Sequence, residues 1–280
     1  MFNICIVKPK NYIHYQAFTE VAELIHFSLL NLKLKSSISF NHLDTNPKKK
    51  NIIFGGHLLT DEIINKVPKN SIVFNTEQIE SNTKEWRDRI IKLANRNIEI
   101  WDYSLFNIQF IHEKTKVKAK LFEIGYQNEL KKINLKKTKD VDVLFYGSVN
   151  NRRKFIIDKL EEKKVKVKCL FGVYGEERDE WIAKSKIVLN MHMYDSKIFE
   201  IIRVFYLMTN GIPVVAEFDQ NTKINNDYLN GIKATSYNEL IDNVILLLKD
   251  DKAREQLGDK GLTQIRKYPQ EQFTMKILNL

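Results

Sequence analysis

The stretch 186–217, KIVLNMHMYDSKIFEIIRVFYLMTNGIPVVAE, carries the reading of the fold. Lys186 to Asn190 is a short apolar run without alternation, as expected of a strand buried on both faces. Phe199 to Met208 reads as a helix that stops at Asn210-Gly211, where the glycine supplies the C-cap. Ile212 to Ala216 is then a second buried strand. Strand, helix and strand in this order imply a parallel sheet covered by helices. Polar residues gather just past the first strand, and in open α/β sheets that edge is where ligands bind.

The same pattern extends outward on both sides. Upstream, Val141 to Tyr146 is a strand, Gly147-Ser148 a turn, Asn151 to Glu162 a helix and Lys164 to Phe171 a strand, followed by a short helix over 177–184. Downstream, 237–249 and 252–266 are helical. The first half repeats the alternation. Its strands are Asn3 to Val7, Ile38 to Phe40, Ile52 to Phe54, Ser71 to Asn75 and Ile98 to Trp101, with helices near 15–32, 61–66 and 84–96. Between the halves, residues 131–140 are charged and poor in apolar side chains, as suits a linker. The expectation is an α/β chain of two Rossmann-like domains facing across a cleft. The first spans 1–130 and the second 141–268, and a C-terminal helix over 269–280 would pack back on the first domain.

Composition narrows the classes. A chain of 280 residues with 43% hydrophobic residues can build a real core, which excludes wholesale disorder. Cys5 and Cys169 sit in strand-like runs and read as reduced core residues of a cytoplasmic protein. The opening MFNICIVKPKNY has no signal-peptide pattern, and no apolar run is long enough to span a bilayer. Residues 1–140 hold 23 Lys and Arg against 15 Asp and Glu, a net of +8; residues 141–280 hold only +2 of the total +10. The lysine runs Lys48–Lys50 and Lys114 to Lys120 suit a solvated surface, or peripheral docking on the anionic inner face of a membrane.

Several familiar sites are absent. There is no P-loop, no Gly-x-Gly-x-x-Gly, no Gly-x-Ser-x-Gly elbow and no His-Glu-x-x-His. The six histidines show no metal-ligand spacing, so neither a metal nor a cofactor is expected. The one Asp-x-Asp, Asp140-Val141-Asp142, precedes its strand and reads as a linker and strand start. What remains is FYGSVNNRRK at 145–154: a strand, a small-residue turn, and a helix opening with two arginines. Free N–H groups at a helix N-terminus beside guanidinium groups suit a diphosphate; the plainer alternative is a glycine turn with a solvated basic helix start.

These two segments together resemble the nucleotide-sugar half of GT-B glycosyltransferases, especially bacterial enzymes that build surface polysaccharides. The matching residues are Asn190, His192, the Tyr194-Asp195 loop, Glu200, Arg203, Gly211-Ile212-Pro213-Val214-Val215 and the Phe145 to Ser148 turn. The likeness covers 141–280; Phe74 to Glu77 and Trp101 to Ser104 extend it more weakly into the first half. Many retaining members carry a second Glu after the first; position 208 is Met here. The resemblance implies a transferase that moves a sugar from a nucleoside-diphosphate donor to a glycan or lipid-linked acceptor, without a metal. Gly147, Ser148, Arg152 and Arg203 would meet the diphosphate. Glu200 would meet the ribose, His192 the phosphate or sugar and Tyr174 the base, with Tyr194 also among the substrate-binding residues. A general base would come from the first domain: Glu77 first, then Asp102 and His57, each just past a strand, with His14 a fourth candidate. Each of these also reads as a cap, turn or core residue. Two alternatives stand beside this one, a viral-type DNA-base glycosyltransferase and a nucleotide- or sugar-binding module without turnover.

Overall fold

The computed structural model describes the whole chain except residues 81, 82, 195, 220, 221, 223 and 225. Asp195, one of the matching residues above, lies outside the described residues. The chain divides into two units, Met1–Gln127 with Gln270–Leu280, and Asn128–Pro269.

The first unit is built on six strands: β1 (Phe2–Ile6), β2 (Ser36–Phe40), β3 (Lys50–Phe54), β4 (Ile72–Asn75), β5 (Glu99–Asp102) and β6 (Lys120–Leu121). They pair in the order β2-β1-β3-β4-β5-β6, all parallel. The helices are α1 (Thr19–Asn31), α2 (Asp61–Lys66), α3 (Lys84–Asn95) and α4 (Leu105–Thr115). Ile4, Ile52, Ile53, Phe54, Ile72 and Phe74 are fully buried, which is why these strands lack polar alternation. Helix α4 and strand β6 carry no clear sequence signal. Helix α4 has Asn107 and Gln109 among its apolar residues, and β6 is only two residues long.

The second unit contains β7 (Val141–Tyr146), α5 (Asn151–Glu162), β8 (Val167–Leu170), α6 (Gly175–Lys184), β9 (Ser185–Asn190), α7 (Ile201–Thr209), β10 (Val214–Glu217), α8 (Asn226–Leu229), β11 (Lys233–Thr235), α9 (Leu240–Leu248) and α10 (Asp251–Ile265). The five strands run parallel in the order β11-β10-β9-β7-β8. Helix α10 closes on the turn after α7 at Gly258, where a Cβ would lie 2.3 Å from the Gly211 carbonyl oxygen, so only glycine permits the approach.

Residues 128–140 are held by the second unit. Leu130 is buried, the Ile133 N–H donates to Asn210 Oδ1 at 2.9 Å, and Lys139 Nζ donates to the Ala183 carbonyl at 2.7 Å. The expected linker is thus mostly an anchored strap, because Ile133 is buried and the backbone N–H groups of Lys136 and Asp140 donate to the Ala183 and Lys184 carbonyls, while Leu135 stays exposed. The final helix, α11 (Gln270–Leu278), belongs to the first unit. Thr274 hydrogen-bonds Ser28 of α1, Glu271 accepts from Asn31 at 2.7 Å, and Gln270 accepts from the Gly125 N–H at 2.7 Å.

Candidate functional site

In each unit the strand order reverses beside the first strand, between β1 and β3 and between β7 and β9. At such a switch point the loops past the carboxyl ends splay apart and leave a crevice. In the second unit that crevice is bordered by Gly147-Ser148 after β7 and by Met191 to Tyr194 after β9.

Five charged side chains converge there. Arg203, on the first turn of α7, donates to Asn190 Oδ1 at 2.9 Å and lies 5.0 Å from the Tyr146 ring centroid. Gly147 has φ +131°, and a Cβ there would meet Arg203 Nη2 at 3.0 Å, so the glycine makes room for the guanidinium against the backbone. Arg153 is buried. It donates to the Ser148 carbonyl at 2.8 Å and to the Met191 carbonyl, tying the two rims of the crevice together. Burial, and then the charge of Arg203, push its pKa down to about 10. Arg152 is gripped by Glu217 through two bonds, one of 2.6 Å, and its guanidinium lies 3.9 Å from the Tyr237 ring centroid. Glu217 also accepts the His192 backbone N–H at 3.0 Å.

Glu200 is the fifth. It sits at the N-cap of α7 rather than on its first turn, and it is buried. Its carboxylate accepts from Asn190 Nδ2 at 3.0 Å and lies 3.2 Å from His192 Nδ1 and 3.6 Å from Arg153. Burial raises its pKa, but His192, Arg203 and Asn190 outweigh it and hold the group below the usual range. Above this network, Asn150 caps α5 by accepting the Arg153 N–H at 3.0 Å. The first N–H groups of α5, those of Asn151 and Arg152, have no intrahelical acceptor, as at any helix start.

The corresponding edge of the first unit is organised around a different chemistry. Asp102 is fully buried and accepts from Asn75 Nδ2 at 2.7 Å, the Ser104 N–H at 2.8 Å and Asn107 Nδ2 at 3.1 Å. Burial pushes its carboxyl up to about 7 against the lowering effect of those donors. Asn75 and Asn107 also both donate to the Glu77 carbonyl, at 2.8 and 2.7 Å, so the loop after β4 is clamped by two amides that Asp102 orients. The Glu77 side chain is 27% exposed and lies 3.8 Å from His57 Nε2. His57 itself is buried between Phe18 and Trp86, and burial, then Arg89, lower its pKa to about 3. His57, Glu77, Ile79, Trp86, Arg87 and Ile90 line a small surface depression.

No protein-family model matches the chain. In sequence it is similar to uncharacterized proteins of Acanthamoeba polyphaga mimivirus. It is 30% identical to one over 201 residues, 69% of this chain and 63% of that protein. It is 29% identical to another over 198 residues, 68% of this chain and 26% of that protein. The chain therefore spans less than two thirds of the length of these curated relatives. In structure it is similar to WaaG, a glycosyltransferase involved in lipopolysaccharide biosynthesis, with a TM-score of 0.59 at 10% identity over 100% of this chain and 99% of that one. Sucrose-phosphate synthase from Thermosynechococcus elongatus gives 0.60 at 8% identity over 100% and 98%. Anabaena HepE, in complex with UDP and glucose, gives 0.58 at 10% identity over 99% and 98%. The fold is GT-B.

Within this GT-B chain, Gly147, Ser148, Arg152, Arg203, His192, Tyr194 and Glu200 all fall on the crevice at the β7–β9 switch point. Tyr174 caps α6 past β8, on the same edge. Burial changes the roles expected for several of them. Glu200 and His192 lie beneath the rim and face each other, so neither presents its side chain outward. Arg152 is committed to Glu217, leaving Arg203 as the half-exposed guanidinium against the glycine turn. In the first unit, full burial makes Asp102 a positioning residue for the Glu77 loop, and Glu77 is the partly exposed carboxylate of the set. His14 stands in a short 3-10 turn, Ile13–Phe18, ahead of α1.

Glu217 escaped the sequence reading, and Arg153 entered it only as one of two arginines that open a helix. Glu217 is the polar residue that ends β10, in register with the strand that ends at Asn190. That position was a usable signal. Which of the two arginines turns inward has no such signal, because both carry the same chemistry and only the helix phase sends one inward. Among the described residues no group of three or more His, Cys, Asp or Glu is placed to hold a metal, and no helix is long and apolar enough to cross a membrane.

Proposed function

We propose that this chain is a glycosyltransferase that moves a sugar from a nucleoside-diphosphate donor to a glycan or lipid-linked acceptor without an essential metal. The second unit would take the donor and the first the acceptor. The observation that carries this reading is the cluster of three arginines at the β7–β9 switch point, with Arg203 packed on Gly147 beside the start of α5. As the glycosidic bond to the donor breaks, negative charge builds on the departing diphosphate. Fixed donors aimed at that charge stabilise the transition state without reorganising. Arg203, the Ser148 N–H and the N–H groups at the start of α5 are donors of this kind, whereas the Gly147 N–H is taken by the Leu170 carbonyl at 2.9 Å. Glu217 and Glu200 hold the flanking arginines in place and keep the cluster from repelling itself. On the acceptor side, Glu77 is the carboxylate we assign to accept a proton from the attacking hydroxyl. The glycan acceptor class is carried over from WaaG, named as a glycosyltransferase of lipopolysaccharide biosynthesis, and from a structure of TarM, which matches with a TM-score of 0.57 and was solved with alpha-GlcNAc-glycerol and UDP.

A thermal-shift panel of nucleoside diphosphates and nucleotide sugars, with and without EDTA, tests the donor site. A ligand at a hundred times its Kd should stabilise the folded state by about 2.7 kcal/mol. One nucleoside diphosphate that raises the melting temperature equally in both conditions is the expected result. A shift that EDTA abolishes would overturn metal independence, and no shift with any member would overturn the donor site. Donor consumption with a glycan acceptor then separates a transferase from a binding module.

A further inference from the structure

The corner of the first sheet where β1 and β2 end carries an aromatic pair that the core does not use. Phe40, the last residue of β2, is 52% exposed, and its ring meets that of Tyr15 edge to face with centroids 5.9 Å apart. Lys8 Nζ lies 4.8 Å from the Tyr15 ring centroid and 5.7 Å from that of Phe40. The backbone at this corner is fixed. The Lys8 N–H donates to Asn41 Oδ1 at 2.7 Å, and Asn41 Nδ2 donates back to the Lys8 carbonyl at 2.7 Å. Asn41 sits at φ +52°, a conformation that asparagine tolerates better than most residues, and its own N–H donates to the Ile6 carbonyl at 3.1 Å. The loops after β1 and β2 are thus locked together, and between them they hold a cation beside an exposed ring.

A single exposed apolar side chain is ordinary, but this one has a cation held against it. Of Lys, Arg, Asp and Glu, residues 1–19 and 36–43 contain Lys8 and Lys10 alone. Both are exposed, and neither forms an ion pair among the described residues. These features define what would meet them. The face of an aromatic ring is negative, so it attracts the C–H bonds of a sugar ring, which the sugar oxygens leave partly positive. A carboxylate on the same sugar would meet the two ammonium groups. Nucleobases stack in succession on several ring faces, whereas an edge-to-face pair offers little more than one. The corner lies on the same carboxyl edge as Glu77, but β2 is three strands from β4, about 14 Å away. A sugar bound here is therefore not the one whose hydroxyl reaches Glu77; it is one further along the same acceptor, where binding energy can be drawn from a part that does not react.

We infer that Lys8, Lys10 and Phe40 form a subsite for a carboxylate-bearing sugar of an oligosaccharide acceptor, remote from the sugar that is glycosylated. The inference rests on the placing of the acceptor on the first unit. It is tested by affinity electrophoresis of the full chain through native gels that contain polygalacturonate, neutral dextran or polyglutamate, the last carrying carboxylates without sugar rings. Polygalacturonate should retard the chain strongly, polyglutamate weakly and dextran not at all. Phe40→Ala leaves the charge unchanged and should weaken the response to polygalacturonate roughly three- to tenfold, and Phe40→Trp should restore it. Lys8→Gln with Lys10→Gln should weaken it by about tenfold. The melting temperature and any nucleotide-induced shift should be unchanged in all three variants. Equal retardation by polyglutamate or by dextran, none by polygalacturonate, or full retardation of Phe40→Ala would overturn the inference. Competition by oligothymidylate at equal charge concentration, dependent on Phe40, would also overturn it and assign the corner to nucleobases. Loss of the nucleotide-induced shift in the parent chain, with the Phe40-dependent retardation intact, would strike the donor site and leave this sugar site standing.

Discussion

The two units present the same edge of the same kind of sheet and fill it with opposite chemistry. In the second unit the centre of the edge is cationic. Three guanidinium groups are held by Glu200, Glu217 and Asn190, and their charges are fixed by burial and pairing. In the first unit the centre is an acid among amides, with Asp102 orienting Asn75 and Asn107 and through them the loop of Glu77. An edge of fixed cations suits a ligand that gains negative charge. An edge that positions a partly exposed carboxylate suits a step that moves a proton. The difference teaches that the fold supplies only the place; the residue that ends each strand supplies the chemistry.

The comparison breaks most sharply at one residue from each edge. Glu77→Gln should lower transfer by roughly a hundred- to ten-thousandfold, because the amide cannot take the proton, while nucleotide binding measured by thermal shift stays intact. Arg203→Ala should lower turnover by roughly a hundred- to a thousandfold and also remove the nucleotide-induced shift, because it takes away a donor aimed at the diphosphate. If Glu77→Gln instead weakened nucleotide binding, or Arg203→Ala left it intact, the division of labour between the edges would fail.

A second test uses acidity. Asp102 titrates near 7 in the folded chain and near 4 when unfolded, so between those values the folded state holds the extra proton. Its contribution therefore falls as pH rises from about 4 to about 7. His57 titrates near 3 folded and near 6.5 unfolded, so the unfolded state holds the extra proton and its contribution rises with pH across nearly the same window. Each is worth roughly 4 kcal/mol as an order of magnitude, and in the parent chain they oppose each other. Urea unfolding at several pH values should give a steeper rise with pH for Asp102→Asn than for the parent, and a less positive or negative slope for His57→Gln. Parallel profiles for all three chains would mean that neither group changes its protonation on folding.

Much of this was legible in the sequence, and the rest was hidden for physical reasons. Continuous apolar runs exposed the buried parallel strands, and the Gly211 cap fixed the end of α7 within a residue. The glycine turn followed by arginines is visible in the sequence, and the structure places both arginines beside the end of β7. Chain order, however, carries no information on which of Arg152 and Arg153 turns inward, or that Glu217 reaches Arg152 from sixty-five positions away. Nor does it tell that Asp102 is sealed under two asparagines, since a strand-end aspartate looks the same whether it is capped or exposed. Helix α4 was missed because its stability comes from packing on α3 and β5 rather than from its own periodicity.

The smallest effect worth measuring compares the caps that start helices at the two edges. Asn150 accepts the Arg153 N–H at 3.0 Å and also donates to the Met193 carbonyl at 2.9 Å, so it ties α5 to the far rim of the crevice. Thr60 caps α2 in the first unit through a single longer contact of 3.4 Å to the Ile63 N–H. Losing an N-cap costs about 1 kcal/mol, so Thr60→Ala should fall at or below that figure in urea unfolding. Asn150→Ala should exceed it, because a second bond goes with the cap. The nucleotide-induced shift should drop only with Asn150→Ala, since that residue sets the direction of the first N–H groups of α5. Equal stability losses, with the nucleotide response unchanged in both, would mean that α5 begins as an ordinary helix and that Arg203 alone gives the second edge its affinity for a diphosphate.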